Sequence, residues 1–134
     1  SDIEPLTQLK DSRLVPGAQP ISTAYRTNRH GLTHTEKTMM QVSKQHYALQ
    51  LMGGRNIAAM QSFMKKHHLL GKAQYYSASL NHEKWYMLVY GNYSTAMRAH
   101  SAAHSLSPSI KALHPWVKSY RIIHDEIRLR RIVS

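Results

Sequence analysis

An α+β fold with the order strand–helix–strand, strand–helix–strand is predicted, and three observations predict it. Residues 47–52 alternate as a strand does. Residues 72–90 read as two strands joined by a tight turn. Each of these strand regions is followed or preceded by a capped segment with apolar residues at helical spacing. Two β-α-β units side by side give a four-stranded antiparallel sheet with both helices on one face.

The elements follow in order. Residues 1–45 carry Pro5, Pro16, Gly17, Pro20 and Gly31 among polar residues and read as a linker or loosely ordered extension. Within it, residues 34–44, with Met39, Met40 and Val42, are expected to form a short helix leading into the domain. Tyr47-Ala48-Leu49-Gln50-Leu51-Met52 puts Tyr47, Leu49 and Leu51 on one face and Gln50 on the other. Gly53-Gly54 ends that strand. Asn56 is a helix N-cap for a segment carrying Ile57, Met60, Phe63 and Met64, and Gly71 is its stop signal.

Residues 72–80 form the next strand, Asn81-His82-Glu83-Lys84 the turn, and Trp85 to Tyr90 the returning strand. In that returning strand both alternating sets are apolar, Tyr86/Leu88/Tyr90 and Trp85/Met87/Val89. Periodicity alone does not choose which set faces the helices. Gly91 breaks the strand, and Ser94 or Thr95 caps a second helix through Ala99, Ala102, Ala103 and Leu106. A loop with Pro108 and Pro115 leads to a last strand, roughly 116–123. Arg128, Arg130 and Arg131 then fall in a basic tail, residues 127–134.

If Leu49 and Leu51 pack under the helices, Gln50 faces outward on an open face. An apolar set on such a face suggests a ligand platform. The charge points the same way: 18 Lys+Arg against 7 Asp+Glu give +11, which calls for an anionic partner such as nucleic acid, anionic lipid or an acidic polysaccharide. There is no cysteine, so disulfides are excluded. No apolar run approaches a membrane span, and no signal peptide opens the chain.

Three pieces, His46-Tyr47-Ala48-Leu49-Gln50-Leu51, Trp85-Tyr86-Met87-Leu88-Val89-Tyr90-Gly91-Asn92-Tyr93 and His114-Pro115-Trp116-Val117-Lys118, stand in an order and at separations that resemble the SPOR domain, the sporulation-related repeat that binds bacterial cell-wall peptidoglycan. The resemblance covers residues 46–126. It implies a ribonucleoprotein/ferredoxin-like βαββαβ sandwich whose open sheet face binds glycan strands lacking stem peptides at the division septum. It favours Trp85 outward, with Tyr86, Leu88 and Tyr90 in the core. Carried over by position, Gln50, Trp85 and Trp116 match binding residues, and Gly53, Met87 and Lys118 join them as ligand-binding candidates. Where the related domain has small hydroxyl residues, this chain has Met52-Gly53-Gly54, which puts a hydroxyl contact there in doubt. The implied partners are peptidoglycan glycan strands and other division proteins, with no cofactor and no nucleic acid. The implied location is the periplasm, with a membrane anchor upstream.

The residue types suit such a ligand. Sugar rings present flat C–H faces that pack on tryptophan. A strand stripped of peptide carries a lactyl carboxylate on every second sugar, which Lys84, Lys118 and Arg121 are placed to meet. An amide side chain such as Gln50 answers both the donor and the acceptor of an N-acetyl group.

Other chemistries fit less well. His100 and His104 share a helix face, but Ser101 stands where a metalloprotease helix carries glutamate, and no cysteine or acidic cluster adds ligands. Nothing resembles a nucleophile elbow or a pair of carboxylates, so catalysis is not expected. The rival is RNA binding on the same topology. Its glycine- and aromatic-spaced signature is not met by Lys84-Trp85-Tyr86-Met87-Leu88-Val89-Tyr90.

Overall fold

The computed structural model describes residues 3–5 and 31–130. In chain order the elements are β1 (Ile3–Pro5), α1 (His34–Gln41), β2 (Tyr47–Gly54), α2 (Ile57–Lys66), β3 (Ala73–Leu80), β4 (Glu83–Tyr93), α3 (Ala96–His104), the single turn α4 (Pro108–Lys111), β5 (Trp116–Ser119) and α5 (Tyr120–Leu129). The predicted α+β core is present: β2, β3, β4 and β5 pair antiparallel in the order β5-β2-β4-β3. β1 adds a short fifth segment, lying opposite Met52–Gly54 on the same edge of β2 that β5 occupies opposite Tyr47–Gln50.

Local chemistry fixes the helix ends. Asn56 Oδ1 accepts from the Ala59 amide at 3.0 Å and Thr95 Oγ1 from Arg98 at 3.1 Å, each satisfying an otherwise unpaired N–H of the first turn. α2 stops at Lys66, and the left-handed residue just past it is His68, with φ 58°; Gly71, expected as the stop, takes φ +79° in the turn into β3. Gly91 has φ +81°, and a Cβ there would collide with the Tyr93 ring. Gly91→Ala combines backbone strain with that clash. It is expected to cost about 1–3 kcal/mol in urea unfolding, and a change within error would show that the β4 bend is softer than drawn.

Leu49, Leu51, Leu88, Met60, Met64 and Ala99 form the core between the sheet and α2/α3, with Tyr86 and Tyr90 packed on its edge. A β-bulge between Gln50 and Met52 keeps both Leu51 and Met52 on this side. The expected inward set Tyr86/Leu88/Tyr90 and the opposite set Trp85/Met87/Val89 are therefore as the resemblance favours.

The open face is corrected. Ala48, Tyr76, Ala78, Met87 and Val89 make a second core with Met39 of α1 and Tyr120, Ile123 and Ile127 of α5. The sheet thus lies between two helical layers. The last strand, expected over 116–123, ends at Ser119, whose hydroxyl caps α5 by accepting from Ile122 N at 3.2 Å. Ile122-Ile123 looks β-like locally. The spacing of Tyr120, Ile123 and Ile127 makes one helical stripe, and burying that stripe overrides the local preference.

The expected basic tail is corrected too. Arg128 lies within α5 and pairs with Asp125 at 2.6 Å, and Arg130 is buried. Arg131 lies outside the described residues.

α1 starts with a reciprocal cap: Glu36 N donates to Thr33 Oγ1 at 3.0 Å and Thr33 N to Glu36 Oε1 at 2.9 Å. The other Glu36 oxygen accepts from Arg130 at 2.5 Å and from the Ser77 amide at 2.9 Å. Arg130 also donates to Ser77 Oγ at 2.7 Å and to the carbonyls of Ser77 and Gly31. One ion pair thus binds both flanking helices to the outer edge of β3 and satisfies peptide groups that an edge strand leaves open.

α1 and α5 also meet through His124, whose Nε2 donates to Met39 O at 2.8 Å. Burial holds its pKa below the ordinary value, partly opposed by that hydrogen bond. A lowered folded value means the unfolded chain takes up the proton first. Stability from His124 is therefore complete above its ordinary value of 6.5 and is lost as pH falls below it toward the lowered folded value. His124→Gln should flatten this part of the stability profile, read by urea midpoints across mildly acidic pH, and an unchanged slope would assign the effect elsewhere.

Candidate functional site

The candidate residues converge. In register, Gln50 stands opposite Trp116 of β5 and Val89 of β4, and Gly53 stands opposite Met87. Gln50 Nε2 lies 3.9 Å from Met87 Sδ, and Lys118 Nζ donates to Gln50 Oε1 at 2.5 Å. Lys118 Nζ also sits 5.8 Å from the Trp116 ring centroid. Trp85 lies two residues before Met87 on the same face, half-buried against the second core. Six residues far apart in sequence thus share one sheet face or its end.

Their surroundings differ from expectation. Gln50 is on the predicted face, but that face is filled by α5, and Gln50 is 1% exposed. Met87 and Gly53 are buried as well. Lys118, expected near a strand end where it could meet a carboxylate, is fully buried and paired with Glu126 Oε1 of α5 at 2.6 Å. Trp85 and Trp116 keep partial exposure, and Lys84 and Arg121 are exposed. Lys84 Nζ lies 5.4 Å from the Tyr86 ring, on the opposite side of β4 from Trp85.

Two residues that sequence reasoning passed over complete this polar centre. The Tyr76 hydroxyl accepts from Lys118 at 2.8 Å and donates to Glu126 Oε1. Glu126 reaches the site from α5. Gln50, Tyr76, Lys118 and Glu126 form one hydrogen-bonded cluster between apolar layers, where each partner's absence would leave another unsatisfied. The sequence held one signal for it. Glu126 lies on the α5 face that carries Ile123 and Ile127, and an acid on a buried stripe needs a cation.

Nearby, the Tyr120 hydroxyl donates to Gly91 O at 3.0 Å, and burial pushes its pKa up to about 12, so it acts as a neutral donor. His100 and His104 are exposed on α3. Among the described residues no three acids or histidines are grouped to hold a metal ion.

Residues 43–119, more than half of the chain, match the SPOR domain. The chain belongs to the SPOR domain family. It is also similar to the cell division protein DamX of Serratia marcescens, at 28% identity over 83 residues, 62% of this chain and 38% of that protein. The chain therefore spans well under half the length of this relative. The SPOR match ends with the last residue of β5, so α1 and α5 lie outside it on either side. The family match supports a general role in binding peptidoglycan. Between residues 43 and 119 this SPOR domain carries nine lysines and arginines and a single acid, Glu83, so its field attracts an anionic polymer.

Proposed function

We propose that this domain is a non-catalytic module that binds peptidoglycan glycan strands lacking stem peptides and carries its parent protein to the division septum. The observation that carries the reading is the convergence of Gln50, Trp116, Trp85 and Met87 on one sheet face of a SPOR fold. Trp85 and Trp116 offer partly exposed aromatic surface for sugar rings. Gln50 offers an amide to N-acetyl groups.

In the described arrangement α5 covers Gln50 and Lys118. A strand that reaches them displaces α5, and Lys118, freed from Glu126, then meets the lactyl carboxylate. Gly53 lies where the strand would leave the face. The site is periplasmic, and the parent protein is held to the inner membrane by a segment outside this chain.

A sedimentation assay with purified sacculi tests the reading. Trp116→Leu and Gln50→Leu should each weaken binding, the glutamine change by the roughly 0.5–1.5 kcal/mol of one neutral hydrogen bond. Circular dichroism checks that each variant remains folded. Amidase treatment, which removes stem peptides, should raise binding. Lower binding after amidase would mean that the peptide is the ligand. Binding should fall only moderately with salt, because the carboxylates are sparser than nucleic-acid phosphates. A steep salt slope with preference for RNA over sacculi would favour the nucleic-acid reading.

A further inference from the structure

A cleft of about 290 Å³ opens away from the sheet face, where the β3–β4 hairpin meets the start of α1 and the end of α5. One wall is aromatic: Tyr75 and Tyr86 pack edge to face, with centroids 6.1 Å apart at 82°. Ile57, 37% exposed, extends the apolar surface. The back wall is the buried Arg130–Glu36–Ser77 network, and Lys84 stands at the mouth beside the Tyr86 ring. Glu83, the acid nearest Lys84 in sequence, is engaged by Arg55 at 2.9 Å.

We propose that this cleft binds a single pyranose bearing an N-acetyl group and a carboxylate. The inference rests on the wall-glycan reading above for the chemistry of the ligand, and it places a sugar where α5 stays docked, so the cleft and the sheet face are alternative contact points. An aromatic wall takes the apolar face of the ring. The Lys84 ammonium answers the carboxylate, and Ser79 and His82, which also line the cleft, answer hydroxyl and amide groups. The volume is at the lower end of small-molecule sites, which suits one sugar unit rather than a run of them. The walls come partly from the SPOR core (Tyr75, Lys84, Tyr86) and partly from the flanks beyond it (Glu36, Arg130), so the site exists only where both flanks fold onto the core.

The test is a titration of the isotope-labelled chain with N-acetylmuramic acid, with N-acetylglucosamine as the carboxylate-free control, followed by amide chemical shifts. The expected result is saturable shifts at Ser79, Lys84 and Tyr86, weaker with the control sugar. Lys84→Glu should raise the Kd about five-fold or more, a size set by a partly exposed charge contact. Tyr86→Ser should weaken binding comparably, and intact dispersion in the free spectrum shows that the variant is folded.

Shifts centred on Trp116 with none in the cleft overturn the inference, as does the absence of any shift at saturating sugar. Sacculus sedimentation is run in parallel. Sacculi bound without cleft shifts leave the wall reading standing and remove this site. Cleft shifts without sacculus binding keep the site and remove the wall reading.

Discussion

Lys118→Met is expected to lower stability by about 3–5 kcal/mol in urea unfolding, the usual consequence of removing one member of a buried ion pair. The residue makes 2.6 Å and 2.5 Å contacts to Glu126 and Gln50, and it is fully buried. Without it, Glu126 keeps a carboxylate in an apolar layer with the Tyr76 hydroxyl donating to Oε1, and its Oε2 already lacks a hydrogen-bond partner among the described residues. The double change Lys118→Met with Glu126→Leu should recover much of the loss, since replacing both charges by apolar groups is often close to neutral. A single variant that loses less than about 1 kcal/mol would show that water reaches Glu126 and that the centre is not sealed.

Arg130→Met should cost a similar about 3–5 kcal/mol, for a related reason at a different place. It leaves Glu36 facing the amides of Thr33 and Ser77 and the Ser77 hydroxyl, and removes three further donations, to Ser77 Oγ and to the carbonyls of Ser77 and Gly31. The effect carries a pH signature. Burial alone would raise the Glu36 pKa, but Arg130 and the two backbone amides more than offset it, so the net value is below the ordinary 4.5. The unfolded chain therefore takes up this proton before the folded one. Glu36's contribution is complete above pH 4.5 and is lost as pH falls through its lowered value. In Arg130→Met that acid-side loss should shrink, and unfolding midpoints below pH 5 measure it. An unaltered acid limb would place the titration on another carboxylate.

Much of the central fold was legible because its signals are local. The alternation of Tyr47 to Met52, the caps Asn56 and Thr95, and the hairpin about Asn81 each lie within a few residues of what they specify. The facing of β4 was not legible from period, because both of its sides are apolar. Burial on both sides is the physical reason.

What escaped was the third layer. Thr33-His34-Thr35-Glu36 is a capping-box pattern, and Tyr120, Ile123 and Ile127 form a helical stripe. The helix expected over 34–44 is present as α1, but its docking on the sheet, and the helix in place of a strand end at residues 120–123, are not legible locally, because each packs only once the other is present. The same non-locality hid Lys118. Trp116 and Lys118 alternate as a surface strand would, and the partner that makes burial of Lys118 tolerable comes from the following helix. Gln50 was placed on the correct side of the sheet, with solvent expected where α5 lies.

Arg130 also donates to Gly31 O, so the segment 31–130 begins and ends at nearly one point. A longer polypeptide carrying this unit would gain almost no reach from its hundred residues. The unit would hang as a pendant beside the line between its neighbours rather than act as a spacer within it. A pull acting across residues 31 and 130 would load the Glu36–Arg130 clasp before the hydrogen bonds of the central strands.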